Sequence, residues 1–270
     1  AWNEAHSFAT FSHTADNAKW GGRIGNPLKA LEFLGAQFGV FGPILFAALL
    51  VISWRAWKEG LPPADRLLLA LSLPLVIAIT VQAFLSRAHA NWAAVAYVTA
   101  TVLVTATMVR DLEWRWLKLS LVLHGLVVVV VTVATTLAGR LELPGGKDPF
   151  ARTLGWREVA VATRAELDAA RAAGRPFGAV LTDDRPLTAE LLYYMRDDPT
   201  PVLAWRDGPR PRDHYELTRA FAKGSPEPVL LVSLTAEPSR IKEAFTHGEL
   251  IATRALPAGK SDVRRVTFHV

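Results

Sequence analysis

The sequence contains no cysteine, which excludes disulfide bridges and thiolate metal centres and leaves the compartment open. Runs of like charge are also missing. The net charge of +5 is spread along the chain, so the basic stripe of a nucleic-acid binder is absent and nucleic acid is not expected as a partner. No G-x-G-x-x-G follows a strand-like run, and neither a Walker loop nor an H-E-x-x-H motif occurs. The chain opens on Ala1-Trp2 rather than methionine, and no leader pattern follows. The expectation is that part of the protein lies upstream.

What charge there is divides unevenly. Residues 1–138 hold 10 of the 30 basic and 7 of the 25 acidic residues, although they make up half of the chain. Four apolar stretches result, Gln37–Trp54, Leu67–Leu85, Trp92–Val109 and Leu119–Ala138. Each approaches the roughly 20 helical residues that cross a bilayer core. The β-branched run Val127–Val133 would suit a buried strand in water, but lipid demands internally satisfied backbone groups and so favours helix. Pro43 and Pro74 fall inside the first two stretches, where membrane helices tolerate proline.

Loop charge sets an orientation. Arg55, Lys58 and Arg66 follow the first stretch and Arg110, Arg115 and Lys118 the third, whereas the loop after the second holds only Arg87. The positive-inside rule puts the first and third loops in the cytoplasm. Residues 1–36, the Ser86–Asn91 loop and everything after Gly139 are then outside. Trp54, Trp57, Trp114 and Trp116 fit an aromatic belt at the inner interface.

Beyond a linker at Leu143–Pro149, strand-like runs alternate with helical patterns. Phe177–Thr182, Pro201–Trp205, Val229–Leu234, Ile251–Leu256 and Arg264–Val270 read as strands. Thr163–Ala173, Leu187–Arg196, His214–Ala222 and Ser239–Phe245 read as helices. The expected fold is an α-helical polytopic membrane domain of about four transmembrane helices over residues 1–142. A small extracytoplasmic α/β domain with a largely parallel sheet follows over residues 150–270.

The segment Ser86-Arg87-Ala88-His89-Ala90-Asn91-Trp92 carries the most chemistry. Arg87 offers a fixed cation, His89 and Asn91 add hydrogen bonds, and the start of the third span adds a helix dipole. Ala88 and Ala90 leave room for a ligand against the backbone. A phosphate at the outer interface suits this set. Equally physical is an Arg87 that snorkels to headgroups beside a belt residue, Trp92.

Trp2, His6 and His13, in the aromatic stretch Trp2–Trp20, could face a sugar or lipid headgroup, although a surface-lying amphipathic segment explains them more simply. No third zinc ligand accompanies the histidines, so no metal site is expected. Asp183 and Asp184 follow the first tail strand, where capping of the Pro186 helix accounts for them better than a metal or base role. Tyr193, Tyr194 and Arg196 look like a helix face and its C-terminal cation. His124, inside the fourth span, reads as hydrogen-bonded within the bundle.

The segments Asn26-Pro27-Leu28-Lys29-Ala30-Leu31-Glu32-Phe33-Leu34-Gly35-Ala36-Gln37, Gly42-Pro43 and Arg87–Tyr97 resemble the C-terminal part of bacterial protein mannosyltransferase-like glycosyltransferases, the group that includes lipid A aminoarabinose transferases. The resemblance covers most of the membrane half; over the tail it is one of arrangement. It implies a multi-pass enzyme of the bacterial inner (plasma) membrane, a hexosyl or pentosyl transferase. Such an enzyme moves a sugar from a polyprenyl-phosphate carrier to a lipid, glycan or protein at the outer face. Arg87, His89, Asn91 and Trp92 match the place of the donor phosphate. The acidic catalytic residue is expected upstream of this chain. No cofactor is identified, and the pattern leaves room for a divalent metal.

The rival reading is a non-enzymatic membrane protein, a transporter or flippase subunit or a sensor with an external α/β domain. Spans nearly free of ionisable groups and the lack of a cytoplasmic output domain on this chain favour the enzyme.

Overall fold

Asn26 and Pro27 start the first long helix. The Asn26 side chain accepts a hydrogen bond from the Lys29 amide at 3.2 Å, and Pro27 takes the first helical position, where a missing N–H is no loss. This helix, α3 (Pro27–Val40), follows the short α1 (Trp2–Ala5) and α2 (Ala9–Ala18). The computed structural model describes residues 2–5, 8–18, 25–143, 148–238, 241, 243–246 and 248–270. The chain divides into two compact units, Ala1–Val131 and Thr132–Val270.

In the first unit α3 ends at Val40, and Gly42 (φ +89°) turns the chain before Pro43 opens α4 (Pro43–Glu59), with a bend of 118° between the two helices. The expected span Gln37–Trp54 is therefore a broken one. Only glycine adopts this backbone without strain, and a residue before proline avoids the helical region. The His124 ring fills the space where a side chain at position 42 would stand.

Three more helices follow: α5 (Pro63–Leu85), unbroken at Pro74, α6 (Ala96–Arg110) and α7 (Trp114–Thr136). Among the described residues, α5 and α7 are long and apolar enough to cross a membrane, and the bent α3–α4 pair adds a third if it is one span. The expected span Trp92–Val109 starts instead as a 3-10 turn, Ala90–Ala93, and is α-helical only from Ala96, which leaves an apolar helix of 15 residues. Phe33, Phe46, Leu49, Ile52, Val76, Leu103 and Val104 form the core of this unit. Ala93, Ala96 and Ala100, all fully buried, bring α6 close to its neighbours, as small residues do between membrane helices.

The second unit contains α8 (Trp156–Ala172), β1 (Ala179–Thr182), α9 (Arg185–Tyr194), β2 (Val202–Ala204), α10 (His214–Thr218), β3 (Val229–Ser233), β4 (Leu250–Pro257) and β5 (Val263–His269). All five expected strands form, in the order β2-β1-β3-β5-β4. β1 pairs in parallel with β2, Val180 opposite Val202, and with β3, Val180 opposite Leu230. β5 runs antiparallel to β3 and β4, so the sheet is mixed rather than largely parallel. Only Ala258–Asp262 joins β4 to β5, and so short a link returns the chain antiparallel.

Val159 and Leu167 of α8 and Leu187 and Leu191 of α9 pack on Val180, Val232 and Phe268, while Leu181, Leu231 and Ile241 cover the other face. α8 begins before the expected Thr163 because Gly155 (φ +80°) turns the chain into it and Trp156 and Val159 are buried in its first turn. α10 stops at Thr218, short of the expected Ala222. Part of the expected helix Ser239–Phe245 and of the linker Leu143–Pro149 lies outside the described residues. Asp148 is buried and accepts hydrogen bonds from the Gly139 and Phe150 amides, each at 2.7 Å.

Candidate functional site

Three arginines at one end of the membrane unit are ion-paired, and the cations described at the other end are not. At one end, the α4–α5 and α6–α7 connections are tied by Arg110–Asp65 at 2.6 Å and Arg55–Asp111 at 3.3 Å, and Arg115 meets Glu113 at 3.6 Å. Trp54, Trp57, Trp114 and Trp116 are all exposed there. The other end holds the loop between α5 and α6. The cations described at this end, Lys29 and Arg87, form no ion pair among the described residues.

This loop is built from several elements. Ser86 ends α5 with its N–H on the Gln82 carbonyl at 2.9 Å, and the Gln82 side chain donates to the Arg87 carbonyl at 3.2 Å. The start of α3 docks alongside. The Asn26 amide donates to the Phe84 carbonyl at 2.8 Å, and Lys29 Nζ donates to the Ser86 carbonyl at 3.4 Å. Arg87 is half-buried, and its Nε is enclosed without a hydrogen-bond partner among the described residues. His89 is exposed and meets the half-buried Trp92 edge-on, with centroids 5.4 Å apart and planes at 69°. Asn91 is exposed. The segment read from the sequence thus brings Arg87, His89, Asn91 and Trp92 onto one short loop.

Two details of that reading change. Ala88 packs against the membrane core, and the Ala90 carbonyl accepts from Gln37 Nε2 at 3.3 Å, so small side chains here seat the loop on the protein. The amides of Trp92 and Ala94 are satisfied inside the 3-10 turn, by the His89 and Asn91 carbonyls. The turn therefore offers less of the open helix start expected at Trp92. Lys29, Gln37 and Tyr97 join the site only in the structure. Their link to it is by contacts distant in sequence, for which a single sequence carries no spacing signal.

The remaining candidates stand apart from the loop or outside the description. His6 lies outside the described residues, as do the side chains of Trp2 and His13. His124, expected to be hydrogen-bonded within the bundle, bonds the Ser120 carbonyl of its own helix through Nδ1 at 2.7 Å. In the tail, Asp184 caps α9 by accepting from the Leu187 amide at 3.1 Å, and Arg196 donates to the Tyr193 carbonyl at 2.9 Å. Asp183 does not cap. It accepts from Ser233 Oγ at 2.5 Å at the ends of β1 and β3, and burial pushes its carboxyl above the usual aspartate range, against the pull of that bond. No cluster of His, Asp and Glu among the described residues could hold a metal ion.

The chain is 36% identical over 221 residues to lipid A galacturonosyltransferase RgtD of Rhizobium johnstonii, a similarity that covers 80% of the chain and 44% of that protein. The chain thus spans less than half the length of this curated relative. No family model and no solved structure matches the chain. The similarity bears out the resemblance to membrane glycosyltransferases of the lipid A modification family.

Proposed function

We propose that this chain, a relative of the lipid A-modifying membrane glycosyltransferases, is the part of such an enzyme that holds the phosphate of a polyprenyl-phosphate sugar donor. One observation carries the reading: Arg87 Nε is enclosed without a partner among the described residues, on a loop that Lys29 of α3 reaches and where neither cation has an acidic partner among those residues, while Arg55, Arg110 and Arg115 at the opposite end are ion-paired. A buried donor without an acceptor is costly, and an anionic ligand removes that cost.

The acceptor proposed is lipid A or a similar glycolipid, following the relative's name. In the reaction an acceptor hydroxyl attacks the sugar C1, and the bond from C1 to the phosphate oxygen breaks. Polyprenyl phosphate leaves with the bonding electrons, and the hydroxyl proton passes to a base. Arg87 and Lys29, with hydrogen bonds from His89 and Asn91, stabilise the charge growing on the departing phosphate. The reading assigns the phosphate side of the reaction to this chain and assigns the base to no residue in it.

The same reading takes the membrane unit as four crossings. The 15 residues of α6 rise about 22 Å and the preceding turn adds about 8 Å, which together match a bilayer core of about 30 Å. α4 then crosses, while α3 lies along the outer interface and offers Leu28, Leu31 and Phe38, all exposed, to lipid. The cationic loops after α4 and α6 face the cytoplasm, and the Arg87 loop and the tail lie outside.

The test is Arg87→Ala in the full-length protein, assayed in membranes with a polyprenyl-phosphate sugar donor. Transfer should fall about a hundredfold with insertion unchanged, as when a charge-stabilising donor is removed. Unchanged transfer would remove Arg87 from the donor site.

A further inference from the structure

Gln37 is a fully buried amide with every group engaged across elements. Its Nε2 donates to the Phe33 carbonyl at 2.8 Å and to the Ala90 carbonyl at 3.3 Å, and its Oε1 accepts from Tyr97 Oη at 2.6 Å. It therefore joins α3, the 3-10 turn and α6. The equally buried Ser72, by contrast, bonds among the described residues only carbonyls of its own helix, those of Leu68 and Leu69. A leucine would fill the same space without needing partners, and an amide in apolar surroundings is tolerated only when its groups are matched. What the amide adds is a fixed Ala90 carbonyl.

That carbonyl lies just past the cationic part of the loop. Upstream of Arg87, α3 holds the chain through Asn26 on Phe84 and Lys29 on Ser86. Downstream, Gln37 of the same helix holds Ala90. Arg87, Ala88 and His89 are thus strung between two anchor points on one rigid element. We propose that Gln37 is a positioning residue for the donor phosphate: by fixing Ala90 it sets where Arg87 and His89 stand relative to Lys29. The inference rests on the phosphate reading of the Arg87 loop. Gln37 itself need not touch the donor. A loop freed at one end loses the placement on which charge stabilisation depends, and misplacement of about 1 Å is enough to matter.

The experiment uses the full-length protein in membranes and the variants Gln37→Leu, Tyr97→Phe and Arg87→Ala, with transfer measured against donor and acceptor concentration separately. Gln37→Leu should raise the donor KM about tenfold and leave the acceptor KM within about twofold. Tyr97→Phe keeps the ring, stacked on Phe41 at 4.3 Å, and releases only Oε1, so the same selective change should appear at about threefold. In an Arg87→Ala background, adding Gln37→Leu should cost less than about twofold more, because both act through one loop. An equal loss in both KM values and kcat, or a full Gln37→Leu effect without Arg87, would reduce Gln37 to a packing residue. If Gln37→Leu fails to insert, the Tyr97→Phe split decides, and no selective rise in donor KM overturns the proposal. A normal Arg87→Ala enzyme would instead refute the phosphate reading itself. An impaired Arg87→Ala with normal Gln37→Leu and Tyr97→Phe would refute only the role of Gln37.

Discussion

Replacing Gly42 by alanine tests the bend between α3 and α4 with one methyl group. Two costs follow from the geometry. The backbone at φ +89° and ψ 144° belongs to a region that only glycine occupies freely, which costs an alanine about 1–3 kcal/mol. The added carbon would also lie 2.4 Å from His124 Cε1 and 2.5 Å from Nε2, so the ring must move away. Moving it breaks the 2.7 Å bond from Nδ1 to the Ser120 carbonyl, worth about 1 kcal/mol. Together Gly42→Ala should destabilise the membrane unit by about 2–4 kcal/mol. The assay is the apparent melting temperature of the purified full-length protein in detergent, with Gly42→Ala/His124→Ala as the partner variant. The double variant should recover the steric share relative to His124→Ala alone and keep the backbone share. A Gly42→Ala protein that melts with the wild type would refute the bend, since a continuous helix would welcome the alanine.

Two further outcomes are open to measurement. Protease added to intact spheroplasts should clip the tail unit, and full protection would overturn the orientation taken from loop charge. At Asp183 the sign follows from its raised pKa: the folded state holds the proton more readily than the unfolded chain, so the stabilisation is complete below the ordinary aspartate pKa and is lost as pH rises through the raised folded value. Asp183→Asn, which stays neutral, should therefore raise the denaturation midpoint of the tail at neutral pH, with the gap closing in acid. A gap that does not change with pH would show that burial of the charge is not its cause.

The sequence makes the tail strands readable because apolar runs between turn residues mark them, and each forms within a residue or two of its expected place. Strand direction was another matter. Periodicity says which residues share a face and nothing about which way a neighbour runs, so on pattern alone β5 falls into a largely parallel sheet. The signal against it was the shortness of the Ala258–Asp262 link. In the membrane half, composition locates the apolar stretches, yet it gives Pro43 only as a proline tolerated inside a span. Glycine before proline combines a free positive φ with a residue that disfavours helix behind it, and that pair ends a helix where a lone proline such as Pro74 need not. The loop from Arg87 to Trp92 was legible because its residues are contiguous. Gln37 and Tyr97 were not, because their bonds join positions 53 and 60 residues apart, and apart from its neighbours each is an ordinary helix residue.

The outward valines of α7 carry a biosynthetic consequence. Val127 to Val131 are each more than half exposed, and their shape suits a pleated strand better than a helix. In the four-crossing reading proposed above, lipid is what holds this segment helical, by leaving its backbone no other way to satisfy itself. During synthesis the segment must pass directly from the ribosome into the bilayer. Stranded in water, the same five valines are a template for intermolecular β-pairing, so overexpression that outruns membrane insertion would convert this helix into the seed of an aggregate.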